Sequence, residues 1–283
     1  MTVIDAHQHV WDPARAPYDW LGPAMAPIDR AMGFADVRPA LRAADNDADT
    51  DHMLATAAAH PEVVAVVAWI PLDAPDRTRA RQAALRHDPH VVGVRTLVHE
   101  NPDPDWILRP DVGQGLALLA EAGLAFDYVT SSPAALVHVP ELAGRHPQLR
   151  LVVDHLGKPP VGGGAEERAA WRRLIAAAAR HPGVHAKVSD LYSACGPLDA
   201  WTTDQVCPFV EDALELFGPG RLMYGGDWPV SLLAGGYERT WKAYGKLLAP
   251  LDPDDRAAVL GGTAAAFYRI DAALLDAASD AAV

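Results

Sequence analysis

The chain has only two cysteines in 283 residues, Cys195 and Cys207, set twelve apart. No CxxC pair accompanies them, which excludes a disulfide framework and a thiolate metal site; free thiols in a reducing cytoplasm are expected. Positive charge is also in short supply. The 24 Lys and Arg stand against 37 Asp and Glu, for a net charge of −13. Nucleic acid and anionic membrane surfaces select cationic faces, so neither is expected as a partner. No apolar run approaches the roughly 18–20 residues that span a bilayer, and no charged-then-apolar leader opens the chain. A small-molecule substrate and a cytoplasmic location remain. Two further absences narrow the chemistry. The glycines at 162–164 lack a following Lys-Ser/Thr, so they form no phosphate cradle. Ser131, Ser189 and Ser193 lack a nucleophile elbow, which disfavours serine hydrolysis.

Apolar mass, by contrast, is plentiful. Half the residues are hydrophobic and 22% are charged, enough for one large core. One domain is expected over residues 1–275, followed by a disordered alanine-rich tail at 276–283. Short β-branched runs at 3–10, 63–70, 91–98, 125–130, 149–154, 184–190 and 221–227 read as strands. Helical stretches at 51–60, 75–87, 112–122, 134–146, 166–181, 204–217, 237–248 and 252–268 alternate with them. Such alternation predicts parallel pairing and an α/β (β/α)8 TIM-like barrel. Seven strands are evident where eight are needed, and the gap falls in residues 36–60, so the second strand is expected to be missing or irregular. His60, His146 and His181 each precede a proline and read as helix ends.

In such barrels the chemistry collects at the C-terminal ends of the strands. The first run, VIDAHQHVW, places His7 and His9 two apart and so on one face of a strand. The run ending LVVDHLGKPP delivers His155 and Lys158. The run ending GGDWPV delivers Asp227 and Trp228, and the glycines before Asp227 permit a tight turn. Three imidazoles and one carboxylate, His7, His9, His155 and Asp227, form a candidate mononuclear zinc-type site with an open position for water. Arg95 interrupts an apolar strand, and a buried guanidinium needs a carboxylate or a substrate oxygen. Arg95, His99, Trp106, Lys158 and Trp228 are the candidate substrate-binding residues.

These segments resemble the amidohydrolase superfamily, specifically its amidohydrolase-related branch that includes sugar lactonases. The resemblance rests on IDAHQHVWDP (4–13), GVRTLVHENPDPDW (93–106), LVVDHLGKPP (151–160), HAKVSDL (185–191), RLMYGGDWPV (221–230) and GGTAAAFY (261–268), in order along almost the whole chain. It implies hydrolysis of a sugar-derived lactone, with Asp227 activating water and His155 completing the catalytic set. The histidines would bind a metal or the lactone carbonyl. Binuclear superfamily members carry a bridging lysine or carboxylate on the fourth strand and a histidine on the fifth. Here Arg95 and the run AFDYVT stand in those places, which implies at most one divalent ion, zinc first, or a metal-independent enzyme. Some ten or more residues of the family pattern are absent between Leu41 and Asp51. Two rivals follow from the same residues: a metal-dependent decarboxylase of small unsaturated or aromatic acids, and an inactive barrel acting as a binding protein. An exposed edge beside the first strand would suit a homo-oligomer.

Overall fold

The computed structural model describes residues 2–36, 46–195, 197–198 and 200–281. Six strands and the helices between them follow in chain order. They are α1 (Asp47–Ala59), β1 (Val66–Ala68), α2 (Pro75–Leu85), β2 (Val91–Thr96), α3 (Pro110–Glu121) and β3 (Ala125–Tyr128). After these come α4 (His138–Arg145), β4 (Arg150–Val153), α5 (Ala165–Ala179), β5 (Val184–Val188), α6 (Thr203–Phe217) and β6 (Leu222–Tyr224). Four helices close the chain: α7 (Tyr237–Leu248), α8 (Pro253–Ala257), α9 (Thr263–Tyr268) and α10 (Ala272–Ala281). The strands form one parallel sheet in sequential order, β1 to β6, the topology of a β/α barrel wall.

The first predicted strand takes a different form. Residues 4–9 run extended beside β6 without forming a regular ladder: Ala6 N donates to Tyr224 O at 2.9 Å, Asp227 N to His7 O at 2.7 Å and His9 N to Trp228 O at 2.7 Å. Only an isolated parallel bridge, Gln8 with Trp228, registers there. The reason lies in the partner. Gly225 brings its backbone so close that a Cβ there would sit 2.5 Å from His7 Cβ and 3.0 Å from Ser189 Cβ. The HxH segment is thus pressed against the last strand, which is what carries His7 and His9 to the rim. The predicted loss of a strand between Leu41 and Asp51 falls largely on residues 37–45, outside the described residues. From Asp47 the chain is helical, capped by the Asn46 side chain, which accepts from Asp49 N at 2.9 Å.

Strand alternation separates two apolar layers. Phe126 and Tyr128 of β3, with Leu151 and Val153 of β4, face outward into the main core beneath the helices. Ala125 and Val152 point inward with Val67, Val92 and Met223, where Phe267, Tyr268 and Ile270 join them. The end of α9 therefore plugs the N-terminal mouth of the barrel, and each large side chain buried there contributes about 1.5–3 kcal/mol. The tail expected to be disordered is helical from Ala272 to Ala281, and Leu275 packs on the plug. Cys195 and Cys207 are free thiols. Among the described residues no helix is long and apolar enough to cross a membrane.

Candidate active site

At the C-terminal rim, three successive strands end in the same unusual way. His155, Asp190 and Asp227 follow β4, β5 and β6, and each adopts left-handed backbone, with φ of 56°, 49° and 49°. This conformation costs a non-glycine residue about 1–2 kcal/mol, and such strain concentrates at functional sites. Here it swings the side chains across the barrel mouth.

The Asp227 carboxylate is the hub. Its Oδ1 lies 3.0 Å from His9 Nε2 and 3.4 Å from His7 Nε2. The His7 and His155 rings approach to 4.3 Å between centroids. His155 Nδ1 pairs with Ser189 Oγ at 2.8 Å, and His7 Nδ1 faces Asp154 Oδ1 at 3.5 Å. With Nδ1 anchored on both rings, Nε2 is the nitrogen each presents to the centre. One ligand atom from each of His7, His155 and Asp227 lies within 4.8 Å of the other two. Two imidazole nitrogens and a carboxylate oxygen at that spacing suit a divalent ion with a fourth position open. His9 joins through Asp227 instead, outside that triangle. The donor set therefore fits a metal through three of the four residues predicted.

Beneath the rim, a buried polar chain runs down the barrel axis. Lys187 Nζ donates to Asp127 Oδ2 at 2.6 Å and lies 3.2 Å from Asp154 Oδ1; all three side chains are fully buried. Tyr268 OH donates to the same Asp127 oxygen at 2.6 Å. Lys187 thus neutralises two carboxylates in a dry interior, one of which holds His7. A second clamp fixes the HxH segment. Asp5 Oδ1 accepts from His7 N at 3.1 Å and Gly226 N at 2.9 Å, and its Oδ2 accepts from Gln8 Nε2 and Tyr237 OH. Burial pushes the Asp5 carboxyl up to about 6 despite those donors.

The substrate-side candidates divide into two groups. Lys158 reaches Asp190 and lies 3.0 Å from Ser193 Oγ. Burial alone would lower its ammonium pKa, but Asp190, with Asp227 and Asp154 behind it, raises it above the usual lysine range. Burial pushes the Asp190 carboxyl up to about 6, against the pull of Lys158 and with the push of Asp227. His99 stands at the surface near Arg95 and Lys158; partial burial and those two cations lower its imidazole to about 4, so it is neutral at pH 7. Arg95 is buried in β2, in register with Asp127. These three cationic or imidazole groups therefore gather on one side of the centre. Trp106 is packed in the main core, and Trp228 belongs to a separate apolar cluster with Trp11; the Trp228 backbone carbonyl accepts from His9 N.

The sequence reading assigns no role to Asp5, Asp154, Lys187 or Asp190, and treats Ser189 only as an excluded nucleophile. Asp154 and Asp190 adjoin strand ends already identified, a signal that was available. Tyr192 is another: it is buried, and burial with the charges of Asp227 and Asp190 holds its phenol well above the usual tyrosine range. Its hydroxyl has no hydrogen-bond partner among the described residues.

The amidohydrolase family pattern matches residues 4–270, and the chain belongs to that family. An L-fucono-1,5-lactonase of Burkholderia ambifaria is 36% identical over 95% of this chain and 96% of that protein. A second L-fucono-1,5-lactonase, of Burkholderia multivorans, is 29% identical over 94% and 96%. The crystal structure of an amidohydrolase from Burkholderia multivorans with bound zinc shares the fold at a TM-score of 0.86. That pair is 28% identical, with 96% of this chain and 100% of the other covered.

Proposed function

We propose that this chain opens the ring ester of a sugar-derived lactone, with Asp227 as the base that activates water. The observation that carries the reading is the Asp227 carboxylate held at the rim between His7 and His9, in a chain 36% identical to an L-fucono-1,5-lactonase. Asp227 takes a proton from water as the oxygen attacks the carbonyl carbon. The tetrahedral oxyanion is stabilised at the His7 and His155 side of the centre, and the C–O ring bond then breaks. Protonated Asp227 returns its proton to the ring alkoxide, so one carboxylate serves both half-steps. A divalent metal held by His7, His155 and Asp227 would supply Lewis-acid polarisation and a water of lowered pKa. Lys158, Arg95 and neutral His99 orient the ring by its hydroxyl and carbonyl oxygens. Two cations, buried Arg95 and half-buried Lys158, are too few for a dicarboxylate lactone, which supports a neutral polyhydroxylated substrate.

A panel of aldonolactones, L-fuconolactone among them, followed with a pH indicator, tests the proposal. Asp227→Asn is expected to lower kcat by at least about 10³-fold while the chelator-treated chain keeps its cooperative melt. A near-wild-type rate in that variant would exclude the scheme. Release of CO2 from a small aromatic acid, without lactone turnover, would establish the decarboxylase instead.

A further inference from the structure

The opposite mouth of the barrel carries a second feature that the rim chemistry does not use. A cavity of about 420 Å³ opens at the N-terminal ends of β2, β3 and β4, lined by Arg79, Arg86, Arg150 and Arg269 together with Gln82 and Tyr268. Among the described residues, no acidic one lines it. In a chain with 37 carboxylates against 24 Lys and Arg, four guanidiniums without one lining acid run against the overall charge. Arg79 has a carboxylate at 3.3 Å in Asp76. Among the described residues, no carboxylate lies within ion-pair distance of Arg86, Arg150 or Arg269. Arg150 is committed in part, donating to the carbonyls of Phe267 and Gly123, and this fixes it in the wall. Gln82 Nε2 is buried there with no hydrogen-bond partner among the described residues. Burial, and after it the like charge of Arg269, lower the Arg150 pKa to about 10. Leu85, Val92 and Leu124 complete an apolar floor.

We infer that this cavity is a binding site for a compact polyanion, one carrying two or more phosphate or carboxylate groups on a small body. Guanidinium forks match the paired oxygens of both groups, and the Gln82 amide adds a neutral donor. The apolar floor accommodates the carbon skeleton of such a ligand. Since the site lies at the far mouth of the barrel, its occupant need not be a substrate of the rim.

Isothermal titration of the purified full chain at low ionic strength, with inorganic pyrophosphate and separately with citrate, tests the inference. One-site binding that weakens at least about tenfold in the doubly substituted Arg86→Gln, Arg269→Gln chain is expected, along with weakening as salt rises. Both arginines are exposed, so that variant is expected to keep its fold and its lactone turnover. Binding of pyrophosphate alone or citrate alone would identify the anion class. Binding of neither, or unchanged affinity in the double variant, overturns the site; the latter would place the anion at the metal-type centre.

Discussion

Ser189 shows how much of a catalytic site can rest on one hydroxyl. Its hydroxyl pairs with His155 Nδ1 at 2.8 Å, and that bond decides which nitrogen His155 turns to the centre. Ligand-orienting partners of this kind typically cost 10–100-fold in metal affinity when removed. Ser189→Ala should therefore raise the zinc dissociation constant by about that factor, measured by competition with a chelating dye. An unchanged constant would show that His155 needs no anchor. At this scale the sequence was informative where chemistry is local. His7 and His9 announce themselves because strand geometry puts alternate residues on one face. Ser189 meets a residue 34 positions away, and Asp5 meets Gly226 across 221. No short-range pattern reports such pairs. Nor did the sequence distinguish His9 from the metal-type donors, since alternation gives a shared face but not a distance to His155.

Elements were legible to within a few residues because their signals are local. Helix α7 matches expectation at both ends, and α6 starts from a capping box in which the Thr202 hydroxyl accepts from Gln205 N. The predicted strand at 221–227 shortens to Leu222–Tyr224, because Gly225 and Gly226 leave the ladder to let Asp227 turn over the mouth. The predicted helix at 252–268 divides into α8, a π turn at Ala258–Gly262 and α9, and Gly261 there meets the extended N-terminal segment: a Cβ on it would clash with Thr2 O. Packing, not propensity, set both departures. At the foot of β5, His185 offers a test of how an element responds to pH. Burial, with Arg221 and Arg150 nearby, lowers its imidazole from 6.5 to about 4. The unfolded chain then binds a proton below 6.5 that the folded chain refuses until about 4, so this residue makes stability fall as pH drops through that window. At pH 5 the loss amounts to roughly 2 kcal/mol at most, from about 1.4 kcal/mol per unit. His185→Gln should flatten the acid limb of the melting curve between pH 6.5 and 5. Parallel limbs for the two chains would show that the ring titrates normally.

Across the whole molecule, the barrel interior reads as a stack: an apolar plug at the N-terminal mouth, a charged middle and a metal-type rim. The middle layer binds the other two. Tyr268 of the plug, Asp127, Lys187 and Asp154 connect the end of α9 to His7 through contacts of 2.6, 2.6, 3.2 and 3.5 Å. Replacing Lys187 with methionine leaves two buried carboxylates without their cation, a loss expected to cost about 3–5 kcal/mol. Chemical denaturation should register it as a lower midpoint with an unchanged slope. A midpoint equal to wild type would show that the Lys187 ammonium does not hold this layer together.

The rim should feed stability back to the same stack, because His7, His155 and Asp227 come from the N-terminal segment, β4 and β6 and are close neighbours only in the folded chain. An ion that binds this set selects the native state over the unfolded one. At a hundredfold excess over its dissociation constant it contributes about 2.7 kcal/mol. For a chain of this length that is a rise of roughly 5 °C in melting temperature. Zinc added to chelator-treated protein should produce this rise, EDTA should reverse it, and His155→Ala should abolish it. His9→Ala should retain most of it, since His9 lies against the Asp227 carboxylate and is not among the three closely spaced donors. Loss of the rise in both histidine variants would make His9 a fourth ligand; a rise retained in both would place the ion elsewhere and separate catalysis at Asp227 from metal binding altogether.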